Sequence, residues 1–356
     1  MKVASIVGVR PQFVKASVVS RELRKNNEEI LIHTGQHYDY QMNKVFFEQL
    51  NIPEPDYHLD IGSGSHGYQT GEMLKKIEEV LIKEKPDLVL TYGDTNSTLA
   101  GALAASKLHI KIAHVESGLR SFDKSMPEEV NRVVTDHCSD ILFCPTQNAV
   151  ENLKSEGITE NVYLTGDVMV DSLLYNREIA EQKSNILSEF GLKDKDYLVA
   201  TIHRASNTDN ERNLKNIVDA LSELNDIIIF PLHPRTEKFL KIYGLYDKLK
   251  SSVILTKPMG FFEFIMLMDH AKMVLTDSGG VQKEAYVLKV PCITLRENTE
   301  WVETVEDGWN VLVGTDKDEI VRIVKEFQPC LETHADRFGN GVASKDIAFI
   351  IEDLKV

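Results

Sequence analysis

The chain has 356 residues, 42% of them hydrophobic and 27% charged, and a formal net charge of −15 at neutral pH, which suits roughly two domains that each bury a core. The acidic balance argues against nucleic acid and anionic membrane surfaces, although a few placed arginines and helix N-termini can still receive a phosphorylated ligand. No apolar run approaches the ~20 residues of a membrane span, Met1-Lys2-Val3-Ala4-Ser5-Ile6-Val7 enters a strand directly so that no signal peptide is expected, and Cys138, Cys144, Cys292 and Cys330 show no Cys-x-x-Cys spacing, which together fit a reducing cytoplasm.

In chain order, β-rich runs alternate with helical periods. Strands are predicted at Lys2–Gly8, Glu29–Thr34, Leu88–Tyr92, Lys111–Val115 and Ile141–Cys144, with helices at Pro11–Arg24, Tyr38–Gln49, Thr70–Lys83, Thr95–Ser106 and Pro127–His137. Each crossover is long enough to hold a helix, so the sheet should be parallel and doubly wound. After Leu164-Thr165-Gly166-Asp167 a helical connector runs to about Phe190. A second series follows, with strands at Tyr197–Ile202, Ile227–Phe230, Val253–Leu255, Met273–Thr276 and Cys292–Leu295, and with Leu214, Ile217, Val218 and Leu221 on one helical face. The expected fold class is α/β: two Rossmann-like domains, residues 1–168 and 169–340, facing across a cleft that takes its ligand at the carboxyl ends of the strands. A last helix, Val342–Leu354, carries Ile347, Ile350, Ile351 and Leu354 on one stripe, and is expected to cross back so that residues 341–356 pack on the first domain.

The polar residues gather after strand ends. Met273-Val274-Leu275-Thr276 leads into Asp277-Ser278-Gly279-Gly280-Val281-Gln282-Lys283-Glu284, a strand, a glycine turn and a helix start. Glycines let backbone approach a ligand, first-turn N–H groups suit a phosphate, and Glu284 about one turn in can reach a ribose diol. In Gly8-Val9-Arg10-Pro11-Gln12-Phe13-Val14-Lys15, Arg10 lies in the turn, Pro11 suits the first helical position and Lys15 follows a turn later, two cations fit for a diphosphate. Asp94, after Tyr92-Gly93, is placed to cap the next helix. Glu116 follows the apolar strand ending in His114-Val115, and Glu128 and Glu129 open a helix, where Glu129 reads as cap and dipole chemistry. Asp94, Glu116 and Glu128 taken together form a set able to move protons on and off carbon and leaving-group oxygens. His203, beside Arg204, stands at another strand end, as does His233 with weaker support.

With these residues in hand, the chain resembles the non-hydrolysing UDP-N-acetylglucosamine 2-epimerases over nearly its whole length. The resemblance is carried by Gly8-Val9-Arg10-Pro11 with Lys15, Thr34-Gly35-Gln36-His37, Gly93-Asp94-Thr95, His114-Val115-Glu116-Ser117-Gly118-Leu119-Arg120, Pro127-Glu128-Glu129-Val130-Asn131-Arg132, His203-Arg204 and Thr276-Asp277 through Glu284. Each piece alone is weak; seven in order are specific. The resemblance implies a GT-B-like pair of domains and interconversion of UDP-GlcNAc and UDP-ManNAc, for glycan precursor synthesis, without a cofactor or a metal. It implies elimination of UDP to a 2-acetamidoglucal followed by re-addition. It places catalytic roles on Asp94, Glu116, Glu128 and Lys15, and substrate contacts on Arg10, Arg132, His203, Phe264, Ser278, Gly279, Gly280 and Glu284. Gln36 and Gln41 match glutamines of a regulatory second UDP-GlcNAc site, and the family suggests a homodimer.

The chain departs from bacterial members in three places. It reads His203-Arg204-Ala205-Ser206 for His-Arg-Arg-Glu, and Glu300-Trp301-Val302-Glu303 for Glu-Arg-Pro-Glu, which removes an arginine expected near the nucleotide; Tyr68 stands where an arginine of the regulatory site would align. The Glu-Trp-Val-Glu variant resembles relatives acting on UDP-2,3-diacetamido-glucuronate, which leaves that sugar as an alternative substrate. The same motifs are also compatible with a GT-B UDP-sugar glycosyltransferase, a hydrolysing relative that frees UDP, or a nucleotide-sugar sensor.

Overall fold

Leu88-Val89-Leu90-Thr91-Tyr92 is buried along its whole length, as a parallel strand covered by helices on both faces must be. The computed structural model describes residues 1–35 and 53–354 and divides the chain into two units, Met1–Leu174 with the C-terminal stretch from Arg337, and Tyr175–Asp336. The predicted helix Tyr38–Gln49 and the candidates Gln36 and Gln41 lie outside the described residues.

The first unit runs β1 (Lys2–Val7), α1 (Arg10–Leu23), β2 (Glu28–His33), β3 (Tyr57–His58), α2 (His66–Glu84), β4 (Leu88–Tyr92), α3 (Asn96–Lys107), β5 (Lys111–Val115), α4 (Pro127–Cys138), β6 (Ile141–Cys144), α5 (Gln147–Ser155), β7 (Val162–Leu164) and α6 (Val168–Lys183). Its strands pair in parallel in the order β3-β2-β1-β4-β5-β6-β7. The order reverses between β1 and β4, so the loops leaving these two strands part to opposite sides and open a crevice at their carboxyl ends. Ile6, Ile32, Met73, Ile77, Val89, Ala100 and Ala104 share one core beneath it. The small residues of α3 let this helix settle close to the sheet: a Cβ on Gly101 would lie 2.6 Å from Ile6 Cδ1.

The chain passes out of the first unit within α6. The second unit holds α7 (Ile186–Glu189), β8 (Tyr197–Thr201), α8 (Ala205–Thr208), α9 (Glu211–Glu223), β9 (Ile227–Pro231), α10 (Pro234–Ile242), α11 (Tyr246–Ser252), β10 (Ile254–Thr256), α12 (Phe261–Asp269), β11 (Met273–Thr276), α13 (Gly279–Val287), β12 (Cys292–Thr294), α14 (Val302–Glu306), β13 (Asn310–Leu312) and α15 (Lys317–Glu326). Its sheet is again parallel, in the order β10-β9-β8-β11-β12-β13, with the reversal between β8 and β11. Leu214, Ile217, Val218 and Leu221 of α9 are buried in its core as their spacing predicts, each side chain contributing about 1.5–3 kcal/mol on burial.

The last helix, α16 (Ala343–Asp353), belongs to the first unit and packs on α1. It has no cap of its own. Buried Asp171 of α6 supplies one from outside, accepting the N–H groups of Ala343 and Ser344 at 3.2 and 2.7 Å and the Ser344 hydroxyl at 2.6 Å. The edge strands β3, β7 and β13 are two or three residues long, too short to show a period in sequence. Helix α2 starts at His66 instead of Thr70, because Gly67 and Gly71 lower its intrinsic propensity and hide its first turn.

Candidate active site

The first unit's polar cluster is built where β1, β4 and β5 end. Gln12, near the start of α1, receives the N–H groups of Gly8 and Val9 on its oxygen (2.8 and 3.3 Å) and donates to Tyr92 O and Thr98 Oγ1 (2.7 and 2.9 Å). One buried amide thereby ties the β1 turn to the end of β4 and the first turn of α3. Gly8 is required here because a Cβ would overlap the hydroxyls of Ser97 and Thr34. Arg10 is exposed at the first position of α1, with Pro11 behind it.

Lys15 projects from α1 to an ion pair with Glu116, and both side chains are largely shielded from solvent. Burial alone would depress the Lys15 ammonium, but the charge and hydrogen bond of Glu116, with Asp167 and Asp94 behind, outweigh it and raise its pKa above the ordinary value. Gly93 passes directly over this pair: a Cβ there would lie 3.1 Å from Glu116 Oε2 and 3.2 Å from Lys15 Nζ. Glu116 itself has φ +74°, a left-handed conformation that costs a non-glycine residue roughly 1–2 kcal/mol. Backbone strain of this kind, held by surrounding structure, concentrates at working sites.

Asp94 does not cap α3. Thr95 does, accepting Thr98 N–H, and this leaves the Asp94 carboxylate to pair with Arg132 of α4. Asn131 Nδ2 donates to Asp94 O at 2.9 Å, so two consecutive α4 residues hold Asp94 by backbone and side chain. Glu129 is not ordinary first-turn dipole chemistry either. It is buried, accepts the N–H groups of Ser121 and Phe122 at 2.9 Å and pairs with Arg132 at 3.0 Å. Burial pushes its pKa up, but those N–H groups and Arg132 bring it below the usual carboxylate value. Glu128 stands exposed in the same first turn, one turn before Arg132. The structure thus brings Lys15, Glu116, Asp94 and Arg132 into one cluster and leaves Glu128 at its rim.

Helix α4 has its polar side inward. Asn131, Thr135 and Asp136 are buried, while Val130 is exposed. An inward polar face is the sequence signal that would have found Asn131 and Asp136. Read by hydrophobic period alone, the valines claim the core.

In the second unit the corresponding place is the end of β8 beside the end of β11. Asp277 is fully buried and accepts the N–H groups of His203 (3.0 and 3.1 Å) and Arg204 (3.0 Å) and the Asn207 amide (3.1 Å), fastening the β8 loop to the β11 turn. The rings of His203 and His233 are 5.5 Å apart. Ser278 caps α13, accepting from Val281 N–H, and Gly279 and Gly280 form its first turn with N–H groups in the geometry an anion needs. Glu284, partly buried further along α13, is pushed by burial, against the pull of Lys283, up to about 7. Phe264 lies half-buried on α12.

Two arginines converge on Glu300, next to Trp301. Arg296 and Arg204 both pair with Glu300, at 2.9 and 3.3 Å, and a Cβ on Gly279 would lie 3.7 Å from Arg204 Nη2. Trp301 donates its indole N–H to Gly279 O at 2.8 Å and stacks under Lys283 Nζ at 4.3 Å. Two guanidinium groups therefore stand beside the glycine turn without an arginine at 301.

Comparison with known proteins bears on the family of the chain. A family model described as UDP-N-acetylglucosamine 2-epimerase matches residues 21–352. The chain is 60% identical to a UDP-N-acetylglucosamine 2-epimerase homolog of Methanococcus maripaludis, covering 99% of this chain and 100% of that one. It is 50% identical to the UDP-2,3-diacetamido-2,3-dideoxy-D-glucuronate 2-epimerase of Pseudomonas aeruginosa, covering 98% of each. The crystal structure of Methanocaldococcus jannaschii UDP-GlcNAc 2-epimerase in complex with UDP-GlcNAc and UDP superposes with a TM-score of 0.83 at 51% identity, covering 99% of each chain. Two Rossmann-like units of GT-B type, a family model over most of the chain and full-length identity at this level lead to one assignment: the chain belongs to the UDP-N-acetylglucosamine 2-epimerase family.

Proposed function

We propose that the chain interconverts UDP-N-acetylglucosamine and UDP-N-acetylmannosamine by eliminating and re-adding UDP. The observation that carries this reading is the paired carboxylate cluster, Glu116 on Lys15 and Asp94 on Arg132, at the strand ends of a chain in this family. The C2 hydrogen of the sugar is not next to a carbonyl, so simple deprotonation is too far uphill. A carboxylate instead takes the C2 proton as the C–H electron pair forms the C1=C2 bond, and the C1–O bond breaks with its pair leaving on the β-phosphate oxygen of UDP. Re-addition of UDP at C1 and of a proton on the opposite face of C2 completes the inversion. The reaction is redox-neutral and calls for no cofactor.

Asp94 and Glu116 share the C2 proton traffic, Glu128 supports or relays it, and Lys15, paired with Glu116, offers positive charge to the departing diphosphate. Arg10 and His203 bind the diphosphate with Ser278, Gly279 and Gly280, Glu284 takes the ribose diol, and Arg132 and Phe264 complete the substrate contacts. The four cysteines are free, which supports a cytoplasmic setting. Phe122, Met126 and Val130 expose an apolar patch at the start of α4, which supports a homodimer; light scattering on the purified chain tests that state.

A second reading, C2 epimerisation of UDP-2,3-diacetamido-2,3-dideoxy-D-glucuronate, is favoured by the 50% identity to the Pseudomonas relative. Proton NMR in D₂O with each nucleotide sugar in turn and no additive decides between them. Growth of UDP-ManNAc carrying deuterium at C2 is the expected outcome. Turnover of the diacetamido uronate alone would install the second reading, and inertness toward both would overturn epimerisation by this chain.

A further inference from the structure

The ring of His114 takes no part in the proton traffic above, yet it joins the two turns that present the carboxylates. It is fully buried, its Nε2 donates to Gly93 O at 2.7 Å, and its Nδ1 lies 2.7 Å from Asp136 Oδ1. Gly93 immediately precedes Asp94, has φ +62°, and donates its N–H to Val115 O at 3.0 Å. The direction of its carbonyl therefore governs how Asp94 leaves β4. The other Asp136 oxygen accepts Gly118 N–H at 3.1 Å and Arg120 Nη1 at 2.7 Å. Gly118, with φ +78°, closes the turn that keeps Glu116 in its left-handed conformation, and a Cβ there would overlap the Ala149 carbonyl. Ser117 Oγ reaches back to His114 O at 2.7 Å.

Both ring nitrogens face acceptors. One is a peptide carbonyl, which has no proton to give. The other is Asp136, whose burial opposes ionisation but whose contacts with His114 and Arg120 bring its pKa below the ordinary value. Asp136 is itself fixed by the Gly118 N–H and by Arg120 Nη1, so the ring is held between two anchored partners. A buried ring with both nitrogens engaged has one orientation, and so do the turns it ties.

We propose that His114, locked by Asp136, is a positioning residue for the epimerisation read above, and the proposal rests on that reading. It sets the Gly93–Asp94 turn against the Glu116–Gly118 turn, so that the two carboxylates keep the spacing that proton transfer on either face of C2 requires. Misplacement of a reacting group by about 1 Å can cost on the order of 100-fold in rate while leaving remote binding intact. The role is therefore expected in kcat and not in KM.

The test uses the full chain with His114→Gln, Asp136→Asn and the double variant, assayed with whichever nucleotide sugar the wild type turns over. Each single variant should lose about 10- to 100-fold in kcat, with KM and the Kd for UDP within about threefold, and the double should lose no more than the worse single, as coupled residues do. Retained UDP affinity reports that the variants are folded. Wild-type kcat in the variants, losses that multiply in the double, or KM rising in step with the kcat loss would each overturn the inference. A wild-type chain that turns over neither sugar overturns the proposed function, and this inference with it.

Discussion

Lys15 pairs with the carboxylate of Glu116, a residue 101 positions away whose backbone sits in the left-handed region at the end of β5. The pair is shielded from water, so each partner is costly to bury without the other. Arg132 pairs with Asp94, whose side chain is more open to solvent. Each of the two acids thus stands beside its own cation at a strand end.

The first prediction concerns those acids. Asp94→Asn and Glu116→Gln should each lower kcat by about 10²–10⁴, with UDP affinity changed by less than about threefold, as read by NMR progress curves and calorimetric titration. Glu128→Gln should cost less, about tenfold, because Glu128 is exposed at the rim. Near-normal rates in both Asp94→Asn and Glu116→Gln would remove the assigned roles.

Nucleotide affinity is expected to depend on the two β1 and β8 turns. Arg10→Ala or His203→Ala should weaken UDP binding about tenfold, some 1.4 kcal/mol. Unchanged Kd values in both would show that the diphosphate binds elsewhere.

Glu284 makes a prediction in pH. Its pKa in the fold, about 7, lies above the ordinary value of 4.5, so the unliganded fold is favoured by its protonated form below about pH 4.5 and loses that contribution as pH rises through 7. The contribution is about 2 kcal/mol once partial exposure is allowed for. Glu284→Gln should therefore raise Tm at pH 8 and leave it nearly unchanged at pH 5. Ribose hydroxyls donate to the ionised carboxylate, so UDP affinity of the wild type should fall as pH drops below 7 more steeply than that of Glu284→Gln. Parallel affinity profiles for the two chains would take Glu284 out of the nucleotide site.

Two glycines should respond in opposite directions. Gly8→Ala places a methyl on the Ser97 and Thr34 hydroxyls and should destabilise by about 1–3 kcal/mol, with loss of turnover because the β1 turn must move. Gly71 is exposed within α2, and a Cβ there meets nothing within 4 Å, so Gly71→Ala should stabilise by about 0.5–1 kcal/mol. Thermal melts of the two variants distinguish them directly.

By itself, the sequence determined the α/β series, the parallel sheets and the strand ends at which polar residues collect, because apolar runs such as Leu88–Tyr92 and Met273–Thr276 and the glycine turns after them are local signals. The positions of Asp94 and Glu116 just after strand ends were legible in the same way. What those acids do to one another was not. That Thr95 caps α3 and frees Asp94, that Arg132 comes to it from 38 residues away, that Glu129 is a buried brace and that α4 turns its polar side inward all depend on contacts between distant segments. That Arg204 and Arg296 meet at Glu300 was hidden for the same reason. Hydrophobic period and turn chemistry act over a few residues and can be read along the chain; the pairing of buried charges is decided by which strand ends the sheet order makes neighbours, and only the folded chain sets that.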